Sequence, residues 1–354
     1  MITILATLFV LGILIFIHEF GHFISAKLFH MRVDTFSLGF PPRMIGKKIG
    51  ETDYCISWIP LGGYCKIAGM VDESFDTKQL ESEPKPWEFR SKPYWQRVLV
   101  IIAGPLMNFI LPFLLFTGFA LQEGIPQYDK TIIGEVLPDK PADISGMLPG
   151  DEIVTINGDS VHTWIEMAEI IHESIGDSLD MGWIRNESLI TKVIFPVQDV
   201  YNNNGAAPDT LGIIGIRPAR DFGLIQCLQS SSNAIFHLSK TFLGFIGKLI
   251  IGQESIRNVA GPVGISRLAG ESAREGFDAL LIFLAIISVN LAVINLLPVP
   301  VLDGGHILLL LIEAIIRRPI PVRVKLMIQQ IFMVLLLIFI AFVIYNDIVR
   351  WVAK

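Results

Sequence analysis

The chain has few of the features that mark a secreted or a soluble protein. Its three cysteines, Cys55, Cys65 and Cys227, are an odd number without metal-site spacing, which argues against both a disulfide framework and a thiolate zinc site. The net charge of −6 gives no basic footprint for nucleic acid. The sequence also lacks internal repeats and low-complexity tracts.

Charge is missing altogether from the start of the chain. No charged side chain precedes Glu19. As a helix, with about 1.5 Å per residue, the seventeen residues before His18 would cross most of a hydrocarbon layer of about 30 Å. A secretory signal peptide would need a basic start and a small-residue cleavage site, which this stretch lacks. We therefore expect it to be a retained first membrane span.

Long hydrophobic runs, in contrast, are abundant. Hydrophobic residues make up 52% of the chain, and the mean hydropathy of +0.55 is high for a soluble domain. Four runs are long enough to span a bilayer. They cover residues 2–27, about 97–121, about 279–297 and about 326–345. A shorter run at 241–251, flanked by Lys240 and Lys248, predicts an interfacial amphipathic helix or an ordinary soluble helix.

Loop charges predict the orientation, because short cytoplasmic loops collect lysine and arginine. The loop after the first span carries nine such residues: Arg32, Arg43, Lys47, Lys48, Lys66, Lys78, Lys85, Arg90 and Lys92. The loop after the third span carries four: Arg317, Arg318, Arg323 and Lys325. We therefore expect both loops to face the cytoplasm, and both termini and the long segment from about 122 to 278 to face outside.

Two histidines and a glutamate lie at the end of the first apolar run, in the stretch FIHEFGH. On a helix His18 and His22 are four residues apart and share a face, so their imidazoles can hold one divalent ion. Glu19 can then reach a water on that ion and serve as a general base. A chance match is the alternative. An acid at the centre of a span costs about 2.5–3.5 kcal/mol on insertion scales, however, which favours a function.

Zinc is the expected metal, since imidazole suits it and a site with three protein ligands leaves one position for water. Asp303 is the best candidate for the third ligand. Pro298 and Pro300 stop the third apolar helix, and the two glycines after Asp303 would let the backbone turn sharply. Asp303 therefore belongs to a broken membrane segment at nearly the depth of His18, or else to an interfacial loop. His306 is a competing ligand.

The segment from about 128 to 198 predicts a small α/β module. TIIGEVLP and EIVTING are typical of strands, SVHTWIEMAEIIHES of a helix, and MGWIRNESLITKVIF of a hairpin that turns at Asn186 and Glu187. A turn-rich linker at 201–210 and a short strand, LGIIGIRP, follow the module.

Several of these stretches together resemble the site-2 protease family of intramembrane zinc metalloproteases, in particular its bacterial type with PDZ domains. HEFGH in the first span and NLLPVPVLDGG (295–305) after the third carry the resemblance. GPLMN (104–108), WIPLGGYCKIAG (58–69) and NVAGPVGISRLAG (258–270) also fit, so the resemblance covers nearly the whole chain.

The resemblance implies a role for each residue of the metal site. His18, His22 and Asp303 match the family's ligands of one zinc ion. Glu19 matches its general base.

The resemblance also implies substrate contacts. Asn295 matches a residue that contacts the substrate backbone near the metal. Gly63 and Tyr64 lie in PLGGY, which matches a membrane-reentrant β-hairpin that pairs with the substrate as an added strand; a plain cytoplasmic hairpin is the alternative. Asn108 either lines the site from the second span or serves helix packing beside Gly104.

The stretch ISGMLPGDEIVTINGDSV (144–161) resembles the bacterial PDZ signature. Such a domain would capture a carboxyl terminus or obstruct access to the membrane site. About seventy residues leave room for one PDZ domain, whereas the best-known member of this type carries two in tandem.

The expected fold is thus a polytopic α-helical membrane protein with four transmembrane helices, one extracytoplasmic α/β PDZ domain and a membrane-reentrant β-hairpin. Its expected parts are residues 1–121 (two spans and the hairpin loop), 128–198 (the PDZ domain), 199–278 (a linker strand and the interfacial helix) and 279–354 (the last two spans).

The resemblance implies an intramembrane zinc endopeptidase in the bacterial cytoplasmic membrane. It would act in the lipid bilayer on single-span membrane proteins, such as anti-sigma factors or remnant signal peptides, after an upstream site-1 protease has shortened them. One alternative is a metal transporter, which predicts a polar path that the second and fourth spans hardly show. The other is a membrane-tethered PDZ scaffold, which would leave HEFGH unexplained.

Overall fold

The computed structural model describes residues 1–70, 83–201 and 209–352. Lys78 and residues 202–208 of the expected linker lie outside the described residues. In chain order the helices and strands are α1 (Ile2–Leu28), β1 (Val33–Ile49), β2 (Thr52–Ile67), α2 (Tyr94–Glu123), β3 (Ile125–Pro126), β4 (Ile133–Val136), α3 (Pro141–Ile144), β5 (Glu152–Ile156), β6 (Asp159–Ser160), α4 (Trp164–Glu173), β7 (Leu179–Arg185), β8 (Ser188–Ile194), β9 (Val197–Tyr201), β10 (Asp209–Ile213), β11 (Ile216–Pro218), β12 (Arg220–Asp221), α5 (Leu224–Ile250), α6 (Pro262–Glu275), α7 (Phe277–Asn295), α8 (Asp303–Ile316) and α9 (Val322–Val352).

Two compact units make up the chain. Unit 1 combines Met1–Phe116 with Ser231–Lys354, and unit 2 is Thr117–Ser230. Within the described residues, four helices are long and apolar enough to cross a membrane: α1, α2, α7 and α9. The prediction of four spans is therefore confirmed. Helix α5 is not among them; it has 27 residues and is much longer than the apolar run at 241–251 suggested.

Helix α1 packs through small and branched side chains against α6 and α7. The buried residues of this contact are Ala6, Val10, Leu14, Ala269, Leu280 and Leu284. The hydroxyls of Thr7 and Ser266 add a hydrogen bond of 2.9 Å between α1 and α6. Lipid tails are as apolar as these side chains, so close van der Waals fit and such polar contacts, rather than the hydrophobic effect, stabilise the association within a membrane.

A proline in α2 creates a second contact between spans. Pro112 lies inside the helix and has no N–H, so the carbonyl of Asn108, four residues earlier, loses its usual intrahelical partner. The Ser288 hydroxyl of α7 donates to that carbonyl at 2.8 Å, and Ser288 is fully buried. An unsatisfied carbonyl at membrane depth would cost several kcal/mol, so this hydrogen bond fixes α2 against α7 at Asn108.

Strands β1 and β2 form a long, irregular hairpin. Their pairing has several register shifts, and residues 35–38 of β1 pair with two stretches of β2. Residues 53–56 lie on one side of them and residues 63–66 on the other. The hairpin therefore folds over on itself into a small sheet, in which residues 35–38 lie between 53–56 and 63–66. The PLGGY stretch lies in β2, as the expected hairpin requires, and β2 contacts α1.

Unit 2 contains a four-stranded sheet in the order β6-β5-β7-β8, with α4 packed through Trp164, Met167 and Ile171 into a common core. The side chain of Thr163 caps α4 by accepting from the Glu166 N–H. The expected β7–β8 hairpin is confirmed. Its two turn residues have positive φ, 49° and 63° for Asn186 and Glu187, the conformation that two-residue hairpin turns favour.

The segment that follows the expected PDZ range contains more strand than LGIIGIRP suggested. Strands β10 and β11 are separate: β10 pairs with β9, while β11 returns to pair with β4, and β12 pairs with β3. Unit 2 therefore extends past residue 198, because these pairings tie residues 209–221 to its earlier strands.

A buried ion pair closes the loop before β5. The Asp151 side chain is 2% exposed and accepts from Arg185 Nε at 2.7 Å and from the Leu148 N–H at 2.9 Å. Burial raises the pKa of the Asp151 carboxyl, but the hydrogen bonds from Arg185 and from Leu148 outweigh it and leave the pKa below its ordinary value. The signature ISGMLPGDEIV thus contributes a fixed loop rather than a free carboxylate.

Candidate metal centre

The structure brings together the three side chains that the sequence singled out as metal ligands. His18 and His22 lie on successive turns of α1, with their Nε2 atoms 3.2 Å apart. Asp303 is the first residue of α8, and its Oδ2 lies 3.2 Å from His18 Nε2 and its Oδ1 3.5 Å from His22 Nε2. The three side chains are 11–13% exposed. Among the described residues, this is the cluster whose ligand atoms lie close enough together, within 4.8 Å of one another, to hold one metal ion.

The separations within this cluster fit a zinc ion. Four ligands in a tetrahedron at about 2.0–2.1 Å from zinc lie about 3.3–3.4 Å from one another. The two Nε2 atoms are 3.2 Å apart, and the nearest carboxylate oxygen of Asp303 lies 3.2 Å from His18 Nε2 (Oδ2) and 3.5 Å from His22 Nε2 (Oδ1). Two imidazole nitrogens and one carboxylate oxygen are also a donor set of catalytic zinc sites, in which the fourth position stays open.

Helix α2 approaches the two histidines very closely. A Cβ on Gly104 would overlap His22 Nε2 and would lie 2.9 Å from His18 Cε1. A Cβ on Gly21 would overlap the Ala103 carbonyl oxygen. Because both positions are glycine, the two helices come near enough for His22 Nδ1 to lie 2.9 Å from the Val100 carbonyl oxygen.

Asp303 reaches the histidines because the chain breaks between α7 and α8. Helix α7 ends at Asn295, and α8 begins at Asp303. The expectation that the two glycines after Asp303 allow a sharp turn was wrong, because Gly304 and Gly305 lie within α8. A Cβ on Gly304 would overlap the Leu297 carbonyl oxygen, and one on Gly305 would overlap the Val299 carbonyl oxygen. The two glycines therefore let α8 start directly against the loop that precedes it.

A cavity of about 500 Å³ opens onto the three ligands. Glu19, Asn295 and Tyr64 also line it, as does His306. Asn295 Nδ2 lies 3.5 Å from His18 Nδ1. The expected general base and two of the three expected substrate contacts therefore share one space with the ligand cluster.

Part of β2 borders this cavity. Tyr64, Cys65 and Lys66 line it, and residues 63–66 pair with residues 35–38 of β1. Gly63, the third expected substrate contact, lies beside α1: a Cβ there would be 3.5 Å from Glu19 Cγ and 2.9 Å from Ile15 Cγ2. This part of β2 and Glu19 are thus neighbours.

His306, the competing ligand, is not part of the cluster. Its Nε2 lies 3.3 Å from Gln329 Nε2, on the neighbouring helix α9. His306 lines the cavity as a wall residue.

Sequence reasoning missed two contributors to the site. One is the Val100 carbonyl that faces His22, because a backbone atom gives no residue-type signal. The other is Gly21, whose closeness to α2 becomes clear only once the helices are packed. Pro112 could have pointed to the contact of α2 with α7, since it frees the Asn108 carbonyl to which Ser288 donates.

Comparisons with known proteins agree on one family. The sequence model of peptidase family M50 matches residues 6–339. A candidate zinc metalloprotease of Clostridium perfringens is 34% identical over 88% of this chain and 88% of its own length. One from Rickettsia conorii is 33% identical over 98% of this chain and 99% of its own length. Zinc metalloprotease RasP of Bacillus licheniformis is 27% identical over 98% of this chain and 99% of its own length.

The close approach of α2 predicts the effect of a single methyl group. In Gly104→Ala, the new Cβ would displace the His22 ring, so the affinity for zinc should fall by about tenfold or more. Chelator competition on the purified protein measures it. Gly12→Ala in α1 is the matched control, because a Cβ there would meet nothing within 4 Å. Equal zinc affinity in Gly104→Ala and wild type would contradict the described packing.

Proposed function

The chain belongs to peptidase family M50 and is a zinc metalloprotease, and from this premise we propose that it is an intramembrane endopeptidase that cleaves single-span membrane proteins. The observation that carries the proposal is the position of the ligand cluster. His18 and His22 lie on a helix that is long and apolar enough to span a membrane, and they share a cavity with Glu19. A transporter or a PDZ scaffold would leave the protease family of the chain unexplained.

In this proposal His18, His22 and Asp303 hold one zinc ion. When bound, zinc polarises the scissile carbonyl and lowers the pKa of water at its open position to about 7. Glu19 accepts a proton from the attacking water and passes it to the leaving amine. Asn295, beside His18, donates its amide hydrogens to the substrate backbone and holds the peptide in line.

A single substitution tests the role of Glu19. Glu19→Gln keeps the size of the side chain but cannot accept the proton, so cleavage should fall by about 10²–10⁴-fold while zinc stays bound. The measurement is cleavage of a test peptide with one transmembrane segment, by purified protein in lipid, at matched zinc content.

Glu271→Gln is the control for that experiment, because the Glu271 side chain on α6 is 45% exposed and pairs with Arg267 at 3.1 Å. It should cleave like wild type. Equal cleavage by Glu19→Gln and wild type would exclude Glu19 as the base.

The same assay tests the order of cleavage. If an upstream site-1 protease must first shorten anti-sigma-like or signal-peptide-like substrates, substrates with an intact outer domain should remain uncut. Equal cleavage of intact and shortened substrates would exclude that order.

Residues 64–66 of β2, which line the cavity, support a mode of substrate binding. A peptide bond in a helix is shielded by its own hydrogen bonds and must be unwound before water can attack it. An added strand at residues 63–66 would replace those hydrogen bonds, about 4.8 Å from β2. We therefore include Gly63 and Tyr64 among the substrate-binding residues, in a hairpin that enters the membrane.

Cys65 makes strand addition testable. It lines the cavity, takes part in no disulfide and is half-buried, whereas Cys55 and Cys227 are buried. A substrate cysteine directly opposite Cys65 would have its Cα about 4.5–5.5 Å away, which suits a disulfide.

The experiment oxidises Glu19→Gln in the presence of substrates with one cysteine at successive positions near the cleavage site. A strand predicts cross-linking at every second position, because its side chains alternate. A helix predicts a spacing of three to four instead, and that result would exclude strand addition. Cys65→Ser should abolish the cross-link.

The remaining parts of the proposal concern orientation. Excess lysine and arginine in the two loops favours a bacterial cytoplasmic membrane protein with both loops in the cytoplasm and both termini and unit 2 outside. We propose that unit 2 contains a PDZ domain at about residues 128–198. Its four-stranded sheet with a capped helix and its fixed ISGMLPGDEIV loop support this.

Cysteine labelling in intact cells tests the orientation. Ser188 of unit 2 and Lys48 of the hairpin are both exposed. A membrane-impermeant thiol reagent should label Ser188→Cys in intact cells and Lys48→Cys only after permeabilisation. The opposite pattern would reverse the orientation. The chain without an added cysteine gives the background from Cys65.

A further inference from the structure

The two histidines of the ligand cluster differ in what faces their second ring nitrogen. A neutral imidazole can ligate a metal only through the nitrogen that carries no hydrogen. The Nε2 atoms of both rings point at each other and at Asp303. Each Nδ1 must therefore carry the hydrogen, and each needs an acceptor.

For His22 the acceptor is evident. Its Nδ1 lies 2.9 Å from the carbonyl oxygen of Val100, which can only accept. This contact fixes the tautomer of His22 that leaves Nε2 free for a metal.

His18 faces two side-chain amides instead. Its Nδ1 lies 3.2 Å from Asn108 Nδ2 and 3.5 Å from Asn295 Nδ2. An NH2 group directed at Nδ1 would require a bare Nδ1 and would put the hydrogen on Nε2, where it would block the metal. The two ends of an amide are nearly identical in shape, so a half-turn about the last bond exchanges the nitrogen for an oxygen acceptor.

Asn108 is the amide that can make this exchange. It is fully buried, it is the nearer of the two, and its Oδ1 has no hydrogen-bond partner among the described residues. No hydrogen bond to that oxygen from a described residue therefore opposes the half-turn. Asn295 lines the cavity and is only partly buried, which leaves its amide for the substrate.

We infer that Asn108 is a positioning residue, whose side-chain oxygen accepts the Nδ1 hydrogen of His18 and so directs His18 Nε2 to the metal. The inference rests on the proposed zinc site. Two contacts hold the backbone of Asn108 without involving its side chain. Ser288 donates to its carbonyl, and Gly104, one turn earlier, lets α2 lie close to the histidines of α1. The Asn108 amide thus has a fixed origin from which to reach His18.

Three variants separate positioning from packing. Asn108→Leu keeps the volume but removes the acceptor, so zinc affinity should fall by about 10–100-fold. Asn108→Asp keeps an oxygen towards His18 Nδ1 and should retain zinc affinity or increase it. Ser288→Ala removes the hydrogen bond between α2 and α7 but leaves the Asn108 acceptor in place, so it should lower the unfolding temperature and reduce zinc affinity much less than Asn108→Leu does. Chelator competition and thermal unfolding of the full chain in detergent measure both quantities.

Each result decides between the two roles. Weak binding by Asn108→Leu with recovery in Asn108→Asp supports the acceptor. Equal affinity of Asn108→Leu and wild type, equal losses in the Leu and Asp variants, or a loss in Ser288→Ala as large as that in Asn108→Leu would overturn it.

The proposed protease function is judged separately by cleavage. If the wild type binds zinc but cuts no test peptide, the function fails, and the zinc affinities of the Asn108 variants still decide the inference. If the wild type cleaves and Asn108→Leu binds zinc equally well, only the inference fails.

Discussion

The close contact between α1 and α2 is the constraint on which the metal centre depends. Gly21 and Gly104 let the two backbones approach until any added Cβ would overlap a carbonyl oxygen or an imidazole ring. Lipid provides no hydrophobic force between the helices, so this contact depends on close fit and on polar contacts such as that of His22 with the Val100 carbonyl. The same fit brings the Val100 carbonyl to His22. The packing of α1 against α2 therefore also sets the orientation of the two histidines, and a side chain that disturbs the packing disturbs that orientation.

The break between α7 and α8 is the second constraint. Backbone groups at membrane depth need partners within the protein. The loop supplies several of its own: the Val299 N–H donates to the Leu297 carbonyl at 2.7 Å, and the Leu302 N–H donates to the Val299 carbonyl at 2.8 Å. Asp303 then begins α8, where the helix dipole favours a negative charge. The loop thus satisfies part of its own backbone and places a carboxylate opposite α1.

Local patterns predicted the parts of the structure that depend on short spacings. The HEFGH spacing predicted that His18 and His22 share a helix face, and the prolines predicted the break before Asp303. Contacts that depend on packing were beyond reach. Nothing in the order of residues 33–67 indicates that 35–38 would pair on both sides, because bulges decide that register. The apolar run at 241–251 hid the length of α5, since the serines and asparagine of its first half, in LIQCLQSSSNAIF, read as non-membrane sequence.

Val100, Gly104 and Asn108 follow one another at intervals of four along α2, and each faces the histidine pair. The spacing of these three residues determines which of them face the two histidines. A residue inserted between positions 100 and 108 would rotate one end of this stretch by about 100° relative to the other. The rotated residues would no longer face the two histidines, even if every original side chain were retained. The number of residues between Val100 and Asn108 is therefore a constraint of the same kind as the identity of the candidate ligands.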